Sequence, residues 1–196
     1  MKKIGILGTH GTGKTTLSYA LAVFYKNKGL NTKIVNETAR SCPFPLDAEM
    51  SPEAGLWIYH SHITKELEAQ ARNFDICICD RTAIDSFLYL HVQSAETPMT
   101  YAVEKNAISW LETYDLLVHL VPDKEYEKTN TLFSGEEQAF RQRTQDMFSA
   151  YLADLPAEIQ MKILTITSAE IFEQLSLPTA VHKIDAGCYH HAFTTV

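Results

Sequence analysis

The chain has 196 residues, 45% of them apolar, and a formal net charge of −7. That length fits one domain, and the apolar share suits a globular core and excludes a disordered chain. No apolar run reaches the roughly 18 residues that span a membrane, and the acidic balance argues against a general duplex-DNA binder, whose surface is basic.

Taken in chain order, apolar runs alternate with segments of helical period. Ile4 to Leu7 reads as a buried first strand, because Gly8 and His10 end the apolar run too early for a signal peptide. A helix follows from about Lys14 to Lys28, with Leu17, Leu21 and Phe24 on one face and Gly29 as its C-terminal cap. Lys33 to Asn36 is a second short strand. Pro43, Pro45 and Pro52 make 41–52 an irregular loop. Ser51 caps a helix that opens with Pro52 and Glu53, carries Leu56, Trp57, Ile63 and Leu67, and ends near Arg72. Phe74 to Asp80 is the unbroken apolar run of a central strand.

Helical segments broken near Pro98 come next, then a fourth strand from Tyr114 to Val121, stopped by Pro122. Residues 123–135 are polar and read as a mobile loop. Glu136 to Leu155 is helical, with Phe140, Phe148 and Leu152 towards a core. Lys162 to Ile166 is a fifth strand, followed by a short helix, and the tail from Pro178 reads as loose. This alternation predicts a single α/β domain over 1–196 around a mostly parallel sheet. Cys77 and Cys79 share one face of a strand and match neither a CxxC redox nor a zinc pattern, so the four cysteines read as free thiols in a reducing cytoplasm. Cys188 with His182, His190 and His191 fits no standard metal spacing.

The chemistry concentrates in residues 8–15, Gly-Thr-His-Gly-Thr-Gly-Lys-Thr, a full GxxxxGK[ST] match between a strand and a helix. The glycines (Gly8, Gly11, Gly13) let successive amides, including those of Thr9, His10 and Thr12, turn towards phosphate oxygens. The helix start adds its positive dipole end. Lys14 is placed for the β- and γ-phosphates of ATP, Thr15 for Mg2+, and Thr16 for the α-phosphate.

Ligands in an open α/β sheet sit at the carboxyl ends of the strands. Glu37 follows the second strand, and Asp80-Arg81 follows the third. Phosphoryl transfer relies on positioning and electrostatic stabilisation. Glu37 is placed to take a proton from an acceptor hydroxyl, Asp80 to hold magnesium, and Arg81 to bridge acceptor and transferred phosphate. Arg40 is a candidate for an acceptor phosphate, and Asp85 for a polar group of the acceptor. Trp57, Tyr59, Phe87 and Tyr89 are candidate stacking surfaces.

With these residues, the chain resembles the thymidylate kinase and deoxynucleoside kinase superfamily. It also resembles the nicotinamide riboside kinase-like phage ATPases. Asp80-Arg81-Thr82, Asp85-Ser86 and Tyr89 carry that likeness, over about residues 1–155. The resemblance implies a P-loop three-layer sandwich with a five-stranded sheet and Glu37 as general base. It also implies Arg81 at the acceptor and a helical lid over 123–143, with Arg141 and Arg143 as phosphate donors. Two residues apart on a helix point about 200° apart, so one of the two arginines faces the phosphates. The acceptor would lie between 41–72 and the helix after Asp80. Glu37-Thr38 where thymidylate kinases carry a proline, and Thr82 in place of an aromatic or serine, leave the acceptor undefined.

The sequence therefore predicts a cytoplasmic kinase using ATP and Mg2+ on a nucleoside or nucleoside monophosphate, with no membrane partner. A homodimer stays open. One alternative is a kinase acting on a modified base or terminus in DNA, phage-encoded, which the net acidity argues against. Another is a P-loop ATPase switch, for which the sequence offers no switch motif.

Overall fold

The computed structural model describes residues 1–46, 51–93, 97–123, 135–172 and 176–190. Its sheet contains β1 (Lys2–Leu7), β2 (Thr32–Val35), β3 (Ile76–Asp80), β4 (Leu116–Val121) and β5 (Ile163–Thr167), in the order β2-β3-β1-β4-β5. All four pairings are parallel, so the sheet is wholly rather than mostly parallel. β1, β3 and β4 are central and covered on both faces, which is why Ile4–Leu7, Ile76–Cys79 and Leu116–Leu120 run almost without polar breaks.

Helix α1 (Lys14–Asn27) leaves the first loop and ends at Gly29, whose φ of 79° fits the expected cap. Helix α2 (Pro52–Ala71) begins at Ser51, whose hydroxyl accepts from the Ala54 amide at 3.3 Å. Helices α3 (Ala83–Gln93) and α4 (Pro98–Leu111) follow β3, and a Thr97/Thr100 capping box opens α4. Beyond β4 lie α5 (Gly135–Ala153), the short α6 (Ala157–Gln160), β5, and the short α7 (Ala169–Phe172). The predicted loop at 123–135 falls, for 124–134, outside the described residues.

The chain end corrects one expectation. From Ser176 to His190 it forms α8, with Ala180, Val181, Ile184 and Cys188 buried at helical spacing against α1 and the sheet. Pro178 is tolerated because it lies in the first turn. His182 packs edge-on against Phe24, at 5.2 Å between ring centroids. The three layers are therefore α1 and α8 on one face, the sheet, and α2 to α5 on the other. The cysteines are free, as expected, with the Cys77 and Cys79 sulfurs 3.9 Å apart on one face of β3. Among the described residues no helix is long and apolar enough to cross a membrane.

Helix α2 buries polar as well as apolar side chains. Its buried face includes His62 and Glu66, while Leu67 is exposed. Glu66 is the hub of a buried network. Its carboxylate accepts from Lys3 Nζ at 2.7 Å, Trp110 Nε1 at 2.8 Å and the Tyr114 hydroxyl, and His62 Nε2 stands 2.8 Å away. A buried carboxylate is tolerated when a cation and several donors share it.

Strand register sets up the chemistry. Ile6 pairs with Asp80, Val35 with Cys79, and Leu7 with His119. The loop after β1, Glu37 after β2 and Arg81 after β3 therefore emerge at one carboxyl edge of the sheet.

Candidate active site

The loop after β1 is wrapped for an anion. Gly8, Gly11 and Gly13 have φ of 135°, 74° and 95°, the region glycine alone enters freely. A Cβ on Gly8 would collide with the Leu120 carbonyl oxygen, and one on Gly13 would sit 2.8 Å from Phe172 Cζ. The loop thus closes tightly onto β4 and α7. Thr9 and Thr12 are buried, the Thr12 hydroxyl donating to the Thr9 carbonyl at 3.0 Å. Thr16 is exposed on the first turn of α1.

Lys14 is buried and its Nζ donates to the Thr9 carbonyl. Burial lowers its amine to about 7, the Arg81 charge adds to this, and Asp85, Asp80 and Glu37 oppose it. An anion arriving in the loop supplies the countercharge that the buried ammonium needs. The Thr15 hydroxyl donates to Asp80 Oδ2 at 2.7 Å. Burial raises the Asp80 carboxyl above its ordinary value, while Thr15 and Lys14 counter that. A hydroxyl and a carboxylate in contact at the mouth of a phosphate loop form the oxygen-only donor set that suits magnesium.

Arg81 is held in an unusual backbone conformation, φ 85°, with its amide donating to the Ile6 carbonyl at 3.0 Å. A left-handed non-glycine residue is strained, and such residues gather at functional sites. Its Nε donates to Glu37 Oε1, and Arg40 Nε reaches Glu37 Oε2 at 3.3 Å from solvent. Burial pushes the Glu37 carboxyl up, but the charge and hydrogen bond of Arg81 outweigh it, and the net shift is downward. Glu37 is therefore ionised at neutral pH.

Asp85, a candidate for a polar group of the acceptor, does not line the cavity beside Glu37 and Arg81. Fully buried, it accepts from the Thr82 amide at 2.8 Å, the Thr82 hydroxyl at 2.6 Å and the Gly8 amide at 3.1 Å. It starts α3 and ties that helix to the phosphate loop. Of the two arginines on α5, Arg141 is buried with its Nε donating to the His10 carbonyl at 3.0 Å, while Arg143 is exposed. The two side chains leave different sides of the helix, and Arg141 is the one at the loop. His10 stacks on Phe140, at 6.1 Å between centroids.

A cavity of about 230 Å³ opens beside Glu37 and Arg81. Its apolar walls are Ala39, Leu46, Ile58 and Phe140, and Ser86 and Tyr89 of α3 complete it. Of the four candidate aromatics, Tyr89 alone lines it. Tyr59 and Phe87 are core residues, and Trp57 faces a separate open groove with His60 and Lys65. Sequence reasoning placed Phe140 in the core and did not single out Ile58 or Leu46. It also passed over His119, a polar residue inside the apolar β4. Burial lowers the His119 imidazole to about 4, and its Nε2 has no hydrogen-bond partner among the described residues. A lone histidine between Val118 and Leu120 was the available signal.

This loop, sheet order and acid placement define a P-loop protein with the fold shared by nucleoside and nucleotide kinases. A family model described as an AAA domain matches residues 3–170, and the chain belongs to that family. Among solved structures, a thymidylate kinase from Ehrlichia chaffeensis is similar at a TM-score of 0.65 and 17% identity, over 94% of this chain and 97% of that one. The NadR protein in complex with NR is similar at 0.64 and 19%, over 95% of this chain and 51% of that one. Deoxyadenosine kinase from M. mycoides, with products dCMP and a flexible dCDP bound, is similar at 0.58 and 16%, over 94% and 98%. No curated protein matches the chain by sequence.

Proposed function

We propose that the protein is an ATP-dependent kinase that transfers the γ-phosphate to a hydroxyl of a small nucleoside-like or nucleotide-like acceptor. One observation carries this reading: Glu37, ionised and paired to Arg81, lines a partly open, largely apolar cavity on the same sheet edge as the phosphate loop. A nucleotide switch has no use for a base beside a second, ring-sized cavity.

In this reading the loop amides, Lys14 and Arg141 bind the triphosphate. Thr15 and Asp80 would hold magnesium, which would supply positive charge beside the phosphates. Glu37 accepts the proton of the acceptor hydroxyl, and Arg81 orients Glu37 and the acceptor. The resemblance to thymidylate and deoxyadenosine kinases, proteins named for nucleoside and nucleotide acceptors, supports a small-molecule acceptor. The small cavity speaks against a terminus of duplex DNA.

The test is ADP formation from Mg-ATP in the presence and absence of nucleosides, nucleotides and DNA ends, with product phosphate traced from γ-labelled ATP. Label should appear on an acceptor, and Lys14→Ala should abolish it. Label released only as inorganic phosphate under every condition would refute the kinase reading.

A further inference from the structure

The cavity narrows the acceptor, an inference that rests on the kinase reading above. Two polar atoms at its wall, Tyr89 Oη and Arg81 Nη1, are buried without a hydrogen-bond partner among the described residues. Arg81 Nη1 is 3.8 Å from Asp85 Oδ1, beyond hydrogen-bond reach, and the Arg81 Cζ lies 5.0 Å from the centroid of the Tyr89 ring. The Tyr89 hydroxyl stands beside the guanidinium and helps to hold its proton, through a contact that falls short of normal hydrogen-bond geometry. Ser86 stands one turn earlier on the same side of α3, also on the cavity wall. Buried donors without partners call for a ligand that brings acceptor atoms.

The charge count says which kind. Among the described residues, the charged groups on the cavity wall are Glu37 and Arg81, already paired with each other. Arg40 serves Glu37 from the solvent side, where its side chain is 76% exposed. A phosphate monoester carries nearly two negative charges at neutral pH. Here it would meet the Glu37 carboxylate, while the Arg81 guanidinium, the one cation on the wall among the described residues, is already engaged by that same carboxylate. At the effective dielectric of a partly buried site, one such repulsion at 4–5 Å amounts to on the order of 10²-fold in affinity. A neutral hydroxyl meets no such penalty, and its oxygen can use the idle donors.

We propose that the acceptor is an unphosphorylated nucleoside-type compound. Its flat ring lies among Ile58, Leu46 and Phe140, its sugar oxygens meet Tyr89, Ser86 and Arg81, and its reacting hydroxyl faces Glu37. The hydroxyl oxygen forms the new bond to the γ-phosphorus of a nucleoside triphosphate. The bond from that phosphorus to the β,γ-bridging oxygen breaks, the nucleoside diphosphate leaves with that electron pair, and the hydroxyl proton passes to Glu37.

The experiment measures kcat/KM for purine, pyrimidine and pyridine nucleosides against their own 5′-monophosphates, with Mg-ATP and the full chain. The best nucleoside should exceed its monophosphate by at least about 10²-fold. A monophosphate preferred by any margin overturns this inference and leaves the kinase reading intact. Transfer to neither set, with ATP bound, overturns the kinase reading itself. Tyr89→Phe should raise KM for the best nucleoside about tenfold with kcat within about twofold. An unchanged KM removes the Tyr89 hydroxyl from the acceptor site.

Discussion

The Glu37 carboxylate and the Arg81 guanidinium are ion-paired across the ends of adjacent strands, through Oε1 and Nε. Glu37→Gln keeps the shape of the pair and removes the base. ATP affinity should hold while kcat falls by roughly 10²–10⁴, the usual general-base contribution. Equal kcat in single-turnover assays would take Glu37 out of the proton transfer.

Arg81 adopts a backbone angle that glycine occupies without strain. Arg81→Ala and Arg81→Gly both delete the guanidinium and should both be inactive. The glycine variant should be the more stable of the two by about 1 kcal/mol in urea unfolding, because it alone relieves the strain. Identical midpoints would show that the angle costs nothing here.

Thr15 and Asp80 touch directly. Asp80→Asn should leave metal-free ATP binding within a few-fold and remove most of the gain that magnesium adds. Calorimetric titrations with and without magnesium make the comparison, and a full magnesium gain in the variant would place the metal elsewhere.

The two arginines of α5 should separate cleanly. Arg141→Ala should raise the ATP KM or lower kcat by at least tenfold, a charge-assisted contact being worth about 1.5–3 kcal/mol. Arg143→Ala should behave as wild type. The reverse result would mean that α5 turns about its axis when the triphosphate enters.

Glu66 ties acid stability to the core. Burial opposes its charge, but His62 and Lys3 bring its carboxyl down to about 2. A group depressed in the folded state stabilises above its ordinary value of 4.5, and that stabilisation is lost as pH falls from there towards 2. The depression corresponds to about 3 kcal/mol. Glu66→Gln should flatten the fall in stability between about pH 5.5 and 3, at a lower starting value. Parallel pH profiles for the two proteins would contradict the assignment.

Much of this site was legible in the sequence because its parts are local. A glycine-rich loop between strand and helix, and an acid directly after a strand, are visible in a few consecutive residues, and the parallel sheet brings them to one edge. The cavity was less legible. Along α2 the residues that stood out in the sequence were Leu56, Trp57, Ile63 and Leu67. The helix instead turns Gly55, Ile58, His62 and Glu66 inward, because partners on β1 and α4 neutralise and solvate Glu66. Rotating that face in carries Trp57 away from the cavity and Ile58 into it. The contacts of Asp85 were hidden for a related reason: its partners include backbone amides from two separate segments, invisible as letters.

Phe140 and Arg141 are neighbours on α5, yet one walls the cavity and the other holds the carbonyl of His10. The two compartments therefore share a single partition. A shift of that helix large enough to unseat the arginine from the loop also moves the aromatic ring, so the phosphate-loop side and the cavity change shape together.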